Sequence, residues 1–215
     1  MRHISIKMFV LWVCFAEALA FFIFLAITVV VQNNTGFDIS VINEVHAHET
    51  PAQIHFMTLF TFFGSAQFLL PAYIILITGF LIKKNKKYAL YIALIGISST
   101  TIMFILKNIF KRHRPPMPVI STITGYSFPS GHALSSFIFC SILSYLIFKS
   151  SIKINLKYIF SFMLMLISLT IGLSRIILNV HYASDVIGGF CMGYVLLITA
   201  FFIIKKRENF TPHFK

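Results

Sequence analysis

The chain has little charge and very little acid. Only 11% of its 215 residues are charged, and only six are Asp or Glu. A soluble domain carries roughly a quarter charged residues, so an ordinary water-exposed globule is excluded. With 58% hydrophobic residues and 25 Phe, the chain belongs in a bilayer. The six acids form no cluster of the kind that holds Mg2+. Cysteine is scarce as well: Cys14, Cys140 and Cys191 all fall inside apolar runs, and no pair has metal-ligand spacing. They read as small packing residues. Polar–apolar alternation is missing from the apolar runs, which argues against a barrel of strands. The chain has neither an internal repeat nor a low-complexity tract.

What is present is a series of long apolar runs. A spanning helix needs about 20 mostly apolar residues, and six stretches qualify: 8–31, 65–82, 88–110, 131–148, 158–178 and 183–204. The expected fold is therefore all-α, an integral membrane protein with six transmembrane helices. That leaves no room for a second soluble domain, so residues 1–215 read as a single membrane domain. The N-terminus mimics a signal peptide, with Arg2 and Lys7 ahead of an apolar run containing Ala18, Leu19 and Ala20. That run continues to Val31, whereas a secretory apolar region is about 7–15 residues long. It reads as an uncleaved first span.

Residues 32–64 form the one long polar stretch. Within it Thr50 suits an N-cap, Pro51 the first helical position, and Gln53 can reach back to the cap. A short interfacial helix over the following residues, to 63, is expected. A plain extension of the second span is the equal alternative.

Six spans sort the cations. Arg2 and Lys7, then Lys83, Lys84, Lys86 and Lys87, then Lys149, Lys153 and Lys157, then Lys205, Lys206, Arg207 and Lys215 all fall at one face. The positive-inside rule makes that face, and both termini, cytoplasmic. A formal charge of +12 distributed in this way is a topology signal, not a nucleic-acid surface. The other five cations, Lys107, Lys111, Arg112, Arg114 and Arg175, gather at the outer face beside His132 and His181. Taken singly, Lys111 or Arg112 reads as a cation snorkelling at a helix end. All five together with two histidines read as an anion site.

Three short motifs reach that face. Lys107 and Arg114 flank the end of span three, and Pro115 and Pro116 force a turn there. A mobile ammonium and a planar guanidinium suit phosphoryl oxygens. Ser130, Gly131 and His132 open span four. Ser130 suits a cap, Gly131 allows close backbone approach, and the first N–H groups point toward an anion. His132 is placed to donate a proton to a departing oxygen; a plain cap with a stray histidine is the alternative. Ser174 and Arg175 end span five, and His181 and Asp185 lie four apart at the start of span six. A carboxylate on one ring nitrogen fixes the tautomer and frees the other nitrogen to attack. Alone, that pair would read as a structural hydrogen bond at a helix start.

These motifs resemble the pattern of the phosphatidic acid phosphatase type 2 family of membrane lipid phosphatases, which is related to vanadium haloperoxidases. The family pattern is Lys, six residues, Arg-Pro; Pro-Ser-Gly-His; and Ser-Arg, five residues, His, three residues, Asp. Here it runs from Lys107 to Asp185 without departure. The resemblance implies that His181 attacks phosphorus and forms a phosphohistidine, with Asp185 orienting and charging it. It implies that His132 protonates the leaving oxygen, and that Lys107, Arg114, Ser130, Gly131 and Arg175 hold the phosphoryl oxygens. It also implies chemistry without cofactor or metal. The expected partners are a lipid phosphate substrate and the surrounding membrane lipids. The expected place is the bacterial cytoplasmic membrane, with the site facing outward. Undecaprenyl pyrophosphate and phosphatidylglycerophosphate lead the substrates implied, ahead of phosphatidic acid and lipid A. A non-catalytic lipid- or anion-binding membrane protein would keep the cations but has no need of His181 with Asp185, or of His132.

Other polar residues are less informative. Glu17, inside span one, either lines a lipid groove or bonds another helix while protonated. Gly189 and Gly193 suit helix packing. His46, His48 and His55 read as surface residues, and His113 and Tyr126 flank the motifs.

Overall fold

A computed structural model of the chain describes residues 6–120 and 124–210. Arg2 and Lys215, which entered the charge tally, lie outside the described residues. Those residues form eight α-helices and no strand. The first helix, α1, is Ile6–Ala26, and it runs on through a π-helical turn, Ile27–Val31. Then follow α2 (Gly36–His48), α3 (Pro51–Thr61), α4 (Ala66–Ile82), α5 (Lys86–Phe110), α6 (Gly131–Lys149), α7 (Ile154–Ile177) and α8 (Ala183–Phe210).

Five stretches are long and apolar enough to cross a bilayer unaided: Met8–Val31, Lys86–Phe110, Gly131–Lys149, Ile154–Ile177 and Ala183–Lys205. The remaining span, expected at 65–82, is the 17-residue α4. At 1.5 Å per residue it measures about 26 Å, just short of a hydrocarbon core of about 30 Å. It reaches spanning length together with Pro51–Gly64, from which it is bent by 40°.

The polar stretch holds two helices rather than one. The box at the start of α3 forms as the residues suggest: Gln53 N–H donates to Thr50 Oγ1 at 3.3 Å, and Thr50 N–H donates to Gln53 Oε1 at 2.9 Å. Such a cap stabilises a helix by about 1 kcal/mol. A 3₁₀ turn, Phe62–Gly64, then separates α3 from α4, so α3 is a helix of its own that meets α4 at a 40° bend.

α6 is the central helix, packed against α5, α7 and α8; α1 lies on α8, α4 on α5, and α3 on α7. The α6–α8 approach depends on small residues. A Cβ on Gly189 would sit 2.6 Å from the Ser130 carbonyl oxygen, and one on Gly193 would sit 3.1 Å from Phe137. In the loop between α5 and α6, the fully buried Phe128 stacks on Phe22 at 5.4 Å and meets Phe110 edge-on at 5.2 Å. The loop after α5 begins at Lys111, whose left-handed backbone (φ 48°) ends that helix. It is then tied to the α7–α8 turn: Asn179 Nδ2 donates to the Pro116 carbonyl at 2.7 Å, and Val119 N–H to the Leu178 carbonyl at 3.1 Å.

Candidate active site

The turn between α7 and α8 carries His181. It is folded onto one acceptor, because the N–H groups of Val180 and His181 both donate to the Arg175 carbonyl at 3.1 Å. Asp185 is the third residue of α8, and its Oδ2 accepts the Tyr182 N–H at 2.9 Å. This is the reciprocal half of a capping box. Helix-start chemistry therefore places the carboxylate before any contact with histidine is counted.

Asp185 is fully buried and has four side-chain or cap partners. Oδ2 takes the Ser127 hydroxyl, the Tyr182 N–H and, at 3.4 Å, His181 Nδ1. Oδ1 takes Arg112 Nη1 at 2.6 Å. Ser127 donates to Asp185, so its oxygen accepts from His181 Nδ1 at 3.2 Å. These partners assign the proton to Nδ1 and leave the lone pair on Nε2. Arg114 Nη1 donates to that Nε2 at 3.1 Å. Burial pushes the His181 pKa down to about 3, and the charges of Lys107 and Arg114 add to this; Asp185 pulls the other way. The ring is neutral at ordinary pH, the state a nucleophilic nitrogen needs.

The cations of the first motif converge. Lys107 Nζ donates to the carbonyls of Tyr126 at 2.6 Å and Ser127 at 3.1 Å, and Arg114 Nη2 reaches the same Tyr126 carbonyl at 3.3 Å. An ammonium has three donors, so one on Lys107 is left for a ligand. Arg114 also donates from Nε to Gly125 O at 2.9 Å and from Nη1 to Val180 O at 2.8 Å. The fold-back of Arg114 expected from Pro115 and Pro116 thus ends on the histidine loop as well as beside Lys107.

Arg175 is 2% exposed; its Nη1 donates to Thr61 Oγ1 at 2.6 Å, while Nε has no partner among the described residues. Ser130 stands at the N-cap position of α6, but the cap expected of it does not form: its hydroxyl makes no bond to the first turn. The Ser130 N–H is instead tied to the Asp185 carbonyl at 2.9 Å, and its buried Oγ has no partner among the described residues. The N–H groups of that first turn have no acceptor within the helix. Gly131 faces only the Met103 side chain, at 3.4 Å or more from a notional Cβ, so packing alone does not require a glycine there. His132, half-buried in the first turn of α6, lies within electrostatic reach of Arg175, His181, Arg114 and Lys107. Gly64 touches it: a Cβ there would sit 3.0 Å from His132 Cδ2 and 2.4 Å from Ile171 Cγ2.

All eight site residues thus gather at the ends of α5, α6, α7 and α8. Lys111 and His113 do not join them and are exposed. Arg112 is not a snorkelling cation; it is 7% exposed and turned inward onto two carboxylates. Ser127, Thr61, Ser184 and Asp38 also belong to the cluster, and no motif in the sequence marks them. Glu17 lies exposed on the outer side of α1.

A fixed, neutral imidazole faces a guanidinium. Around them stand a second histidine, an ammonium, a buried arginine with a free N–H, a free hydroxyl and a helix N-terminus. Such a set can bind a tetrahedral anion and transfer its central atom.

The sequence profile of the PAP2 superfamily matches residues 87–209. Phosphatidylglycerophosphatase B of Bacillus subtilis (strain 168) is 28% identical over 163 residues, covering 74% of this chain and 77% of the relative. The crystal structure of a transmembrane PAP2-type phosphatidylglycerolphosphate phosphatase from Bacillus subtilis superposes with a TM-score of 0.80 at 25% identity, over 94% of this chain and 98% of that one. The crystal structure of Aquifex aeolicus LpxE shares the fold, with a TM-score of 0.58 at 24% identity, over 76% and 93% of the two chains.

Proposed function

The chain belongs to the PAP2 superfamily, and on that premise we propose that this multi-pass membrane phosphatase removes the terminal phosphate of a lipid phosphate through a phosphohistidine. Phosphatidylglycerophosphate is the first substrate to test, because the Bacillus subtilis relative, matched by sequence and by structure, bears a name for action on that lipid. The observation that carries the mechanism is the fixing of His181, with Nδ1 held by Ser127 and Asp185 and Nε2 turned to Arg114.

The substrate phosphate is held by Lys107, Arg114 and Arg175, with Ser130 Oγ and the first-turn N–H groups from Gly131 on. Arg114 shifts its Nη1 donor from the ring to a non-bridging oxygen, which frees the Nε2 lone pair. Nε2 attacks phosphorus in line, the bond from phosphorus to the lipid oxygen breaks, and His132 gives that oxygen a proton. The phosphorylated ring is cationic, and Asp185 stabilises it through Nδ1–H. Water then attacks phosphorus as His132 takes its proton, the Nε2–phosphorus bond breaks, and phosphate leaves. The cation asymmetry supports a site at the outer leaflet of a bacterial cytoplasmic membrane.

The test is phosphate release by purified protein from phosphatidylglycerophosphate, undecaprenyl pyrophosphate, phosphatidic acid and lipid A, each with and without EDTA. Wild type is expected to turn over the first of these fastest, and His181→Ala to lose turnover by roughly 10⁴-fold or more while still binding the lipid. Full activity in the alanine variant would exclude the nucleophile role. Preference for another lipid of the panel would reassign the substrate.

A further inference from the structure

Arg112 lies two residues before Arg114 but serves a different set of partners. Its Nη1 donates to Asp185 Oδ1 at 2.6 Å and to Ser184 Oγ at 2.7 Å. Its Nη2 donates to Asp38 Oδ2 at 2.6 Å. Its guanidinium carbon lies 4.2 Å from the centre of the Tyr182 ring. Asp38, on α2, is 1% exposed and is itself fixed by Ser184, whose N–H donates to Oδ1 at 2.9 Å and whose hydroxyl donates to Oδ2 at 2.6 Å. The result is a buried chain of alternating charge, Asp38–Arg112–Asp185, that ends on His181 Nδ1.

We propose that Asp38 and Arg112 are positioning residues for the phosphatase reaction, acting through Asp185 on His181. Arg112 fixes the carboxylate by its far oxygen, so that Oδ2 stays on the ring. A guanidinium alone would also neutralise Asp185 and weaken its hold on the cationic ring that forms during transfer. Asp38 offsets that loss: the three groups together carry one negative charge, as a lone carboxylate would, but in a rigid frame. The Asp38–Arg112 bond fastens α2 to the loop after α5, and the Ser184 bonds to Asp38 fasten it to the start of α8. The chain of contacts binds no substrate oxygen itself, so its contribution falls on the chemical step rather than on lipid binding. This inference rests on the proposed role of His181 as nucleophile.

The test is steady-state phosphate release from phosphatidylglycerophosphate by detergent-purified wild type, Asp38→Asn, Asp38→Glu and the doubly neutral D38N/R112M, each with a melting curve. Asp38→Asn is expected to lower kcat by roughly 10- to 100-fold, the range for loss of an outer partner of a catalytic group, and to leave KM within about threefold. Asp38→Glu, which restores the charge, is expected to recover most of that loss; a purely structural contact would not be rescued by charge. If Asp38→Asn fails to fold, D38N/R112M, which leaves no unpaired cation buried, takes its place and is expected to show the same split of kcat from KM. A folded variant of either kind with kcat within about twofold of wild type overturns the proposal. So does a loss that appears only in KM. A wild type that turns over no lipid phosphate would instead overturn the phosphatase reading itself, and this inference with it.

Discussion

His181 is a histidine kept from its proton by burial, and pH should expose that. The folded pKa of about 3 lies below the ordinary 6.5, so between those values the unfolded chain binds the proton and the folded chain does not. The stability contributed by this group is complete above pH 6.5 and is lost as pH falls toward 3. The melting temperature in detergent should therefore drop between pH 7 and pH 4, and drop less in His181→Gln, which does not titrate there. An equal slope in the two proteins would contradict the buried neutral ring. That this residue and Asp185 could meet was legible from their spacing, because four residues make about one helical turn; a role for the pair was legible only beside the other two motifs. Arg112 was not. A cation at the end of an apolar run looks the same whether it reaches for head groups or turns inward, and its partner Asp38 lies 74 positions away. Ser127 carries no signal either: its hydroxyl matters only because the loop after α5 docks on the α7–α8 turn.

The six long apolar runs could be read because a bilayer demands length and continuity, and the helices deviate from the expected bounds by a few residues. The segment before α4 was less readable. The box at Thr50 pointed to the start of α3, but nothing apolar or periodic marks α2, which mixes Asp38, Asn43, Glu44 and two histidines with valine and isoleucine. The corner between α3 and α4 depends on Gly64. Its place against Ile171, which is 1% exposed, leaves no room for a methyl group. Gly64→Ala should force that corner away from His132. Overpacking of this kind costs about 1–3 kcal/mol, and, with His132 in its proposed role of proton donor, a small displacement costs roughly tenfold or more in kcat. Melting curves and turnover of Gly64→Ala, with Gly64→Ala/Ile171→Ala to make room, would measure both. A wild-type kcat in the single variant would separate the corner from the chemistry.

Across the whole molecule, cations divide into two populations. One lines the loop around Lys83 and Lys84, the loop around Lys153, and the end of α8; the other, apart from the exposed Lys111, is drawn into the site. The proposed orientation can be checked with single cysteines in a chain lacking Cys14, Cys140 and Cys191. A cysteine at Met117, which is 89% exposed in the loop that carries Arg114, should react with a membrane-impermeant maleimide on intact cells. A cysteine at Lys84 should react only after permeabilisation. The reverse pattern would invert the protein in its membrane. Thr61 grips Arg175 and Asp38 grips Arg112, so the belt of residues 32–64 is nailed to the reaction centre at two points. Its exposed positions are free to drift, provided that Asp38, Thr61 and the Gly64 corner stay put. Refitting such an enzyme to a different head group would then be a matter of redecorating the surface between two fixed anchors, with the machinery underneath left as it is.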